Sequence, residues 1–373
     1  MTKKAELKSL SLLFLKLGSI AFGGPAAHIA MMEHEVVRKR KWMTHEHFLD
    51  LVGATNLIPG PNSTEMTMHC GRERAGWAGL VVAGLSFILP AVLITMLLAW
   101  LYGLYGHLPN VLPFIYGIKP AVIAIIVSAI IPLAKKAVKN SELAILGLIT
   151  AAACLLGLNE IVALFGTGAA GLLLYYFKKK NSLNSFTPFL LFQVISDPLA
   201  ISNLRIFLIF LKVGAVLYGS GYVLFAFLDA ELVMKGFMSR EQLIDAVAVG
   251  QFTPGPVLST ATFIGWQLNG WQGALLATAG IFLPSFLFVG LLNPLIPKIR
   301  KSKAASAFLD AVNVASVALI AVVIIAMSRE SLFDWKTILI AATGFLVVFK
   351  MKKLNSAFVV LGGSLLGYLL SFI

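Results

Sequence analysis

The chain has 373 residues, of which 58% are hydrophobic and only 13% are charged. Soluble domains carry about 25% charged residues, whereas several stretches here approach the ~20 apolar residues needed to cross a bilayer. The composition excludes a soluble globular protein and predicts an all-α polytopic membrane protein. The net charge of +13 does not indicate nucleic-acid binding, because the basic residues cluster in loops beside hydrophobic segments, as the positive-inside bias produces.

The first two apolar segments are both interrupted. Residues 10–31 contain Lys16 inside an apolar run and then the turn Gly23-Gly24-Pro25. After a basic loop at residues 38–41, the second segment is interrupted by Pro59-Gly60-Pro61. A helix cannot continue through this tripeptide, because each proline lacks an N–H and clashes with the preceding turn. Inside a bilayer such a break persists only where protein or a water-filled cavity satisfies the freed backbone groups.

The remainder of the first half reads as regular crossings. Trp77–Tyr105 predicts one long helix, residues 111–133 the next, and residues 143–177 a hairpin whose small residues allow close helix contact. A mixed linker follows. We therefore divide the chain into a first transmembrane repeat at residues 1–180, a linker at 181–203 and a second transmembrane repeat at 204–373.

The second half repeats the first at a nearly constant shift. Phe210-Leu-Lys-Val-Gly214 matches Phe14-Leu-Lys-Leu-Gly18, and Pro254-Gly255-Pro256 matches Pro59-Gly60-Pro61. Agreement over about 80 residues indicates a duplicated unit.

Loop charge predicts how the two copies are related. The basic loop at residues 38–41 corresponds to a slightly acidic loop containing Asp229 and Glu231, and the turn at 106–110, without lysine or arginine, corresponds to the basic loop at 298–303. Only an inverted-topology repeat, with broken or re-entrant helices, keeps both sets of basic loops in the cytoplasm. The N-terminal lysines fit this scheme only if the first segment folds back at its glycines, and the sequence leaves crossing and folding back both open.

The interruptions are the predicted substrate site, because transporters bind substrates at broken helices near the bilayer midplane. The matched Lys16 and Lys212 would supply charge to an anion, although snorkelling to the interface is an equal alternative. The glycines either offer N–H groups or allow tight packing, and Asn62 begins a helix whose N-terminus favours anions. The predicted substrate-binding residues are Lys16, Gly23, Gly24, Pro25, Pro59, Gly60, Pro61, Asn62, Lys212, Gly219, Gly221, Pro254, Gly255 and Pro256.

Two further residues are candidates for ion coupling. Glu65 lies in an apolar context where the second repeat has Thr260; it would exchange protons, or simply cap a helix or pair with Arg72 or Arg74. His28 lies near the glycine-rich turn. We expect no metal, cofactor or catalytic residue, because the six histidines form no cluster with cysteines or carboxylates and no nucleotide-binding or hydrolase motif is present.

Three stretches carry a family resemblance: Phe22-Gly-Gly-Pro25-Ala-Ala-His28, Ile58-Pro-Gly-Pro-Asn62 and the glycine-rich segment up to Pro90. They resemble the chromate ion transporter family, and the match of both halves resembles its long, two-domain form. The second half departs from the pattern, since Gly219-Ser-Gly221 lacks the proline and Val257 replaces the asparagine.

The resemblance implies a secondary transporter, not an enzyme, that exports chromate through the bacterial inner membrane with energy from an ion gradient. Chromate is a tetrahedral dianion like sulfate, so transport of sulfate or another oxyanion is an alternative, as is an anion channel. A membrane-embedded enzyme is disfavoured because no catalytic constellation is present. The expected partners are the oxyanion and the lipid bilayer; the oligomeric state stays open, with a homodimer as one option.

Overall fold

The computed structural model describes residues 2–22, 24–106, 108–179, 201–292, 299, 301–351 and 354–373. Within these ranges the chain folds into helices and turns without a β-strand, and five helices are long and apolar enough to cross a membrane. The predicted all-α polytopic fold is confirmed. Gly23, most of the linker, and the basic residues Lys298 and Arg300 lie outside the described residues.

The helices of the two halves correspond one to one. Those of the first half are α1 (Lys3–Ile20), α2 (Gly24–Met32), α3 (His45–Thr55), α4 (Asn62–Tyr105), α5 (Leu112–Ala137), α6 (Ser141–Leu155) and α7 (Glu160–Lys179). Those of the second half are α8 (Asn203–Val216), α9 (Val223–Leu228), α10 (Arg240–Phe252), α11 (Thr260–Leu292), α12 (Lys303–Ser331), α13 (Trp335–Lys350) and α14 (Ser356–Leu370). A π-helical segment follows α2 at Glu33–Lys39 and α9 at Asp229–Val233.

The long helices α4 and α11 are each folded back on themselves. Gly76 has φ 63° and ψ −147°, and Gly270 has φ 54° and ψ −151°, a region of backbone space that is essentially restricted to glycine. A Cβ on Gly71 would overlap the carbonyl of Gly79, although eight residues of straight helix would separate them by about 12 Å. Helix α4 therefore consists of a short first arm, residues 62–74, and a long second arm, residues 77–105.

Helix α3 and the first arm of α4 form a re-entrant hairpin with the Pro-Gly-Pro break at its tip. His47 Nε2 lies 3.3 Å from Glu73 Oε2, which joins the start of α3 to the end of the arm. The arm of 62–74 is about 20 Å long, whereas the hydrocarbon core is about 30 Å thick. The hairpin is too short to cross, and it enters and leaves through the same face.

Helices α1 and α2 form a second re-entrant hairpin beside the first. Lys16 Nζ lies 3.1 Å from Glu35 Oε1 across this hairpin, and Arg74 Nη2 lies 3.6 Å from Glu6 Oε1 near the N-terminus. The first segment thus folds back at its glycine-rich turn. This places the N-terminal lysines on the same face as the basic loop at 38–41, as the positive-inside bias requires.

Contacts between the halves show that they are inverted. Arg72, at the end of the first arm of α4, donates from Nη1 to the carbonyl of Val289 at 2.7 Å and also to that of Gly290, near the end of α11. Gln267 Nε2, in the first arm of α11, approaches the carbonyl of Ala99 at 3.5 Å, near the end of α4. The long arms therefore run antiparallel, and the re-entrant hairpins of the two halves open at opposite faces.

Charge divides these two faces. We call the face bearing the described basic residues of 3–8, 38–41, 135–139 and 301–303 the basic face. The opposite, mixed face carries acids and bases together, as in the ion pair of Lys119 Nζ with Glu241 Oε1 at 2.7 Å. This confirms the inverted-topology repeat and, by the positive-inside bias, predicts that the basic face is cytoplasmic.

Candidate functional site

The two Pro-Gly-Pro breaks dock reciprocally on the opposite halves. The N–H of Gly60 donates to the carbonyl of Leu217 at 2.7 Å, and the N–H of Gly255 donates to the carbonyl of Ala21 at 2.8 Å. Leu217 and Ala21 hold the same repeat position, directly after α8 and α1. Both breaks are buried, and their glycines have φ values of 142° and 88°. The breaks thus lie inside the protein, at hairpin tips that meet between the halves.

A helix begins directly after each break, as predicted. Helix α4 starts at Asn62 after Pro61, and a short turn leading into α11 starts after Pro256; neither proline supplies a capping side chain. The first N–H groups of a helix have no intrahelical partner, and together with the helix dipole they favour an anion. Both starts can therefore present N–H donors between the two halves.

The glycine-rich turns are more open than the breaks. Gly24 and Gly219 adopt φ values of 78° and 87°, which favour glycine. A Cβ on Gly24 would meet no atom within 4 Å, while Gly219 is exposed and Pro25 and Gly221 are partly exposed. Because each turn follows Ala21 or Leu217 directly, the four tips lie in two reciprocal pairs, each joining one glycine-rich turn to the break of the other half.

Lys16 and Lys212 are not brought together. Lys16 pairs with Glu35 at 3.1 Å, and Lys212 Nζ pairs with Glu231 Oε1 at 2.6 Å. The two pairs are repeat-related, so they lie toward opposite faces. The lysine side chains are 52% and 47% exposed, whereas the carboxylates are buried. The expected convergence of both lysines on one anion is not observed, because each ammonium group binds a carboxylate of its own half.

These carboxylates belong to a network that sequence reasoning missed. Glu35 and Glu231 lie on the π-helical segments and hold the same repeat position. A comparison of the two halves would have identified them as a matched pair of acids. The other pairs on these segments are Lys39–Glu35 at 3.5 Å, Arg40–Glu35 at 3.4 Å, Lys235–Glu231 at 2.6 Å, Arg38–Glu33 at 2.9 Å, His45–Glu33 at 3.2 Å and Arg240–Asp229 at 2.7 Å. The hydrogen bond from Arg38 lowers the pKa of Glu33.

Glu65 occupies the first turn of α4 and is completely buried. A Cβ on Gly60 would overlap both the Oε1 of Glu65 and the hydroxyl of Ser285 in α11, so these two oxygens lie close together at the break. Arg72 and Arg74 contact the end of α11 and Glu6 instead. Sequence reasoning missed Ser285, since only the tertiary structure brings it to Glu65.

His28 is also buried, with its Nε2 lying 3.0 Å from the carbonyl of Ala21. Because a carbonyl oxygen can only accept, His28 donates from Nε2, and the same carbonyl also accepts the N–H of Gly255. The imidazole is thereby attached to the contact between the first hairpin and the second break.

An inverted repeat of broken, re-entrant helices whose tips meet between two halves is an architecture typical of membrane transporters. The Chromate transporter family model matches residues 8–172 and 204–368, and the chain therefore belongs to this family. The resemblance seen in the sequence is confirmed.

Full-length relatives agree with this assignment. The probable chromate transport protein of Synechococcus elongatus is 34% identical, covering 97% of this chain and 95% of the relative. The chromate transport protein of Cupriavidus metallidurans is 32% identical over 97% of this chain and 92% of the relative, and that of Pseudomonas aeruginosa is 30% identical over 95% and 90%. No solved protein structure matches the chain.

Proposed function

We propose that the protein exports chromate from the cytoplasm across the bacterial inner membrane, driven by an ion gradient. Three of its full-length relatives are named as chromate transport proteins. The single observation that carries the proposal is the reciprocal docking of the two breaks, Gly60 on Leu217 and Gly255 on Ala21. Two half-sites built from hairpin tips of both repeats can face one small ligand near the molecular centre.

The dianion binds between the tips in this proposal. The uncapped helix starts after Pro61 and Pro256 supply N–H donors, and the glycine-rich turns allow close approach of the backbone. Asn62 donates from its side chain to Asn56 Oδ1 at 2.9 Å, which holds it beside the first helix start. Lys16 and Lys212 add positive charge on opposite sides of the tips and attract the anion from either face.

Alternating access follows from rocking one half against the other. Opening toward one face separates one pair of tips and keeps the other closed. The tip contacts include one backbone hydrogen bond in each pair, worth about 1 kcal/mol, so they can be exchanged without a large barrier. This symmetry is the reason to prefer a carrier over a channel.

Uptake of radioactive chromate into everted inner-membrane vesicles tests the function. Vesicles containing the protein should accumulate chromate in a saturable manner when energised, and vesicles lacking it should not. Competition by sulfate separates a chromate carrier from a general oxyanion carrier. Flux that does not saturate and does not respond to energisation would instead identify a channel.

A further inference from the structure

Glu65 is the most deeply buried acid at the contact between the halves. Its side chain has no exposure to solvent, and neither carboxyl oxygen forms a hydrogen bond with another described residue. Within the described part of the chain, no lysine, arginine or histidine forms an ion pair with it. Removing an ionised carboxylate from water without a cation is very costly. The carboxyl is therefore buried as the neutral acid.

The second repeat shows that the fold does not require an acid at this position. Thr260 is the counterpart of Glu65, and its hydroxyl donates to the carbonyl of Val257 at 2.8 Å. At the second break a Cβ on Gly255 would lie 2.9 Å from the Cβ of Ala91, where the first break has Ser285. The second break thus packs against a methyl group and a threonine that bonds within its own turn, whereas the first break packs against an acid. The backbone arrangement is the same in both.

We propose that Glu65 is a proton-binding site whose proton is bound and carried together with the anion. The inference rests on the proposed function, which places a dianion at the hairpin tips. Glu65 contacts Gly60 at one of these tips, so an ionised Glu65 would repel the dianion and a neutral Glu65 would not. When the break separates from Ser285 and Leu217, water reaches the carboxyl of Glu65. The proton is then released on the side where the anion is released.

Co-binding fixes the direction of the coupling. One proton moving with a chromate dianion leaves one net negative charge to cross the membrane. The membrane potential, negative inside, then drives the complex outward. Acid on the side where chromate is bound accelerates transport, and acid on the side where chromate is released does not.

Other titratable groups lie near Glu65, and His69 and Glu73 serve as controls in the test. Tyr218 lies on the tip after α8, directly after Leu217, whose carbonyl accepts the N–H of Gly60. His69 lies one turn further along the same arm and is buried, and His28 donates to Ala21 as described above. Glu73, at the end of the arm, is paired with His47 and is an accessible acid on the same element.

The first experiment measures chromate uptake into reconstituted vesicles with a one-unit pH difference in either direction and the membrane potential clamped at zero. We expect acid on the side where chromate is bound to raise the steady-state accumulation ratio by about tenfold, as one proton per anion requires. E65Q should reduce this factor to one, whereas E73Q and H69Q should retain it. Comparing variants at each pH cancels the protonation of chromate itself. An unchanged response in E65Q, or stimulation by acid on the opposite side, overturns the proposal.

The second experiment does not depend on transport. Infrared difference spectra of the purified protein, wild type minus E65Q, should show the carbonyl stretch of a protonated carboxylic acid that persists into alkaline solution and is absent for wild type minus E73Q. Absence of this band overturns the proton site even if chromate is transported. If the band is present and chromate is not transported, the proton site stands, while the co-transport and the proposed function fail.

Discussion

At the scale of single residues, the two lysines inside apolar segments owe their positions to buried carboxylates. Lys16 and Lys212 extend back along their helices toward opposite faces. Their Nζ atoms lie 3.1 and 2.6 Å from Oε1 of Glu35 and of Glu231, respectively. Helical side chains lean toward the helix N-terminus, and both helices start at the face through which their hairpin enters. The lysine side chains thus extend toward the membrane surface, as snorkelling lysines do, and each forms an ion pair with a buried carboxylate.

The lysine variants separate anion binding from ion pairing. K16A and K212A should each lower chromate transport severalfold while the protein still inserts, with K16A the larger because the second half departs from the first-half motif. K212A should destabilise the fold more, by about 1–2 kcal/mol, because Glu231 keeps only Lys235 whereas Glu35 keeps Lys39 and Arg40. Transport assays and thermal unfolding in detergent measure the two effects.

The double variants K16A/E35Q and K212A/E231Q provide the control. If the lysines serve only to neutralise the buried acids, the double variants recover both stability and transport. If the lysines attract the anion, stability recovers and transport does not. Single alanine variants that transport at the parent rate would remove the lysines from the mechanism.

At the scale of elements, the back-folded helices α4 and α11 depend on single glycines. Gly76 needs a backbone conformation that side chains do not tolerate, yet a Cβ there would meet no atom within 4 Å. Gly71 shows the converse case, since a Cβ there would overlap the backbone of Gly79. The fold thus uses one glycine for its conformation and another for close approach.

Alanine substitutions distinguish these two uses. G76A should cost about 1–3 kcal/mol through backbone strain alone, and G71A should cost at least as much because the two arms must separate. G103A is the matched control, because this glycine lies within α4 with open space around it, so alanine should be neutral or stabilising by up to about 1 kcal/mol. Thermal unfolding of the purified variants gives the order, and equal midpoints for all three would contradict the folded-back arrangement.

At the scale of the whole molecule, inversion places the basic clusters of both halves, the described residues of 3–8, 38–41, 135–139 and 301–303, on one face. The re-entrant hairpins are what make this possible, because α1 and α2 together return the chain to the face from which it entered. Had the first segment crossed, the N-terminal lysines would lie opposite the loop at 38–41. The re-entrant hairpins therefore account for both the topology and the distribution of charge.

Cysteine labelling from each side of the membrane checks this topology. In a variant with Cys154 replaced, cysteines at Lys4 and Lys301 should react only from the cytoplasm, and one at Asn110 only from the periplasm. The buried Cys70 should remain unreactive and serves as an internal control. Labelling of positions 110 and 301 from the same side would refute the inverted repeat, and labelling of position 4 from the periplasm would refute the first re-entrant hairpin.

The features that are local or repeated could be predicted from the amino-acid sequence. Pro59-Gly60-Pro61 must interrupt a helix because of its covalent geometry, and a repeated motif with swapped loop charges can only be an inverted duplication. Which segments turn back became evident only from contacts between distant residues. Local hydropathy cannot tell a crossing from a hairpin, since both bury apolar residues, whereas His47–Glu73 and Lys16–Glu35 are contacts between distant positions. The same holds for the site: Gly60 was evident in the sequence, but its junction with Leu217, Ser285 and Glu65 exists only because the two halves pack against each other.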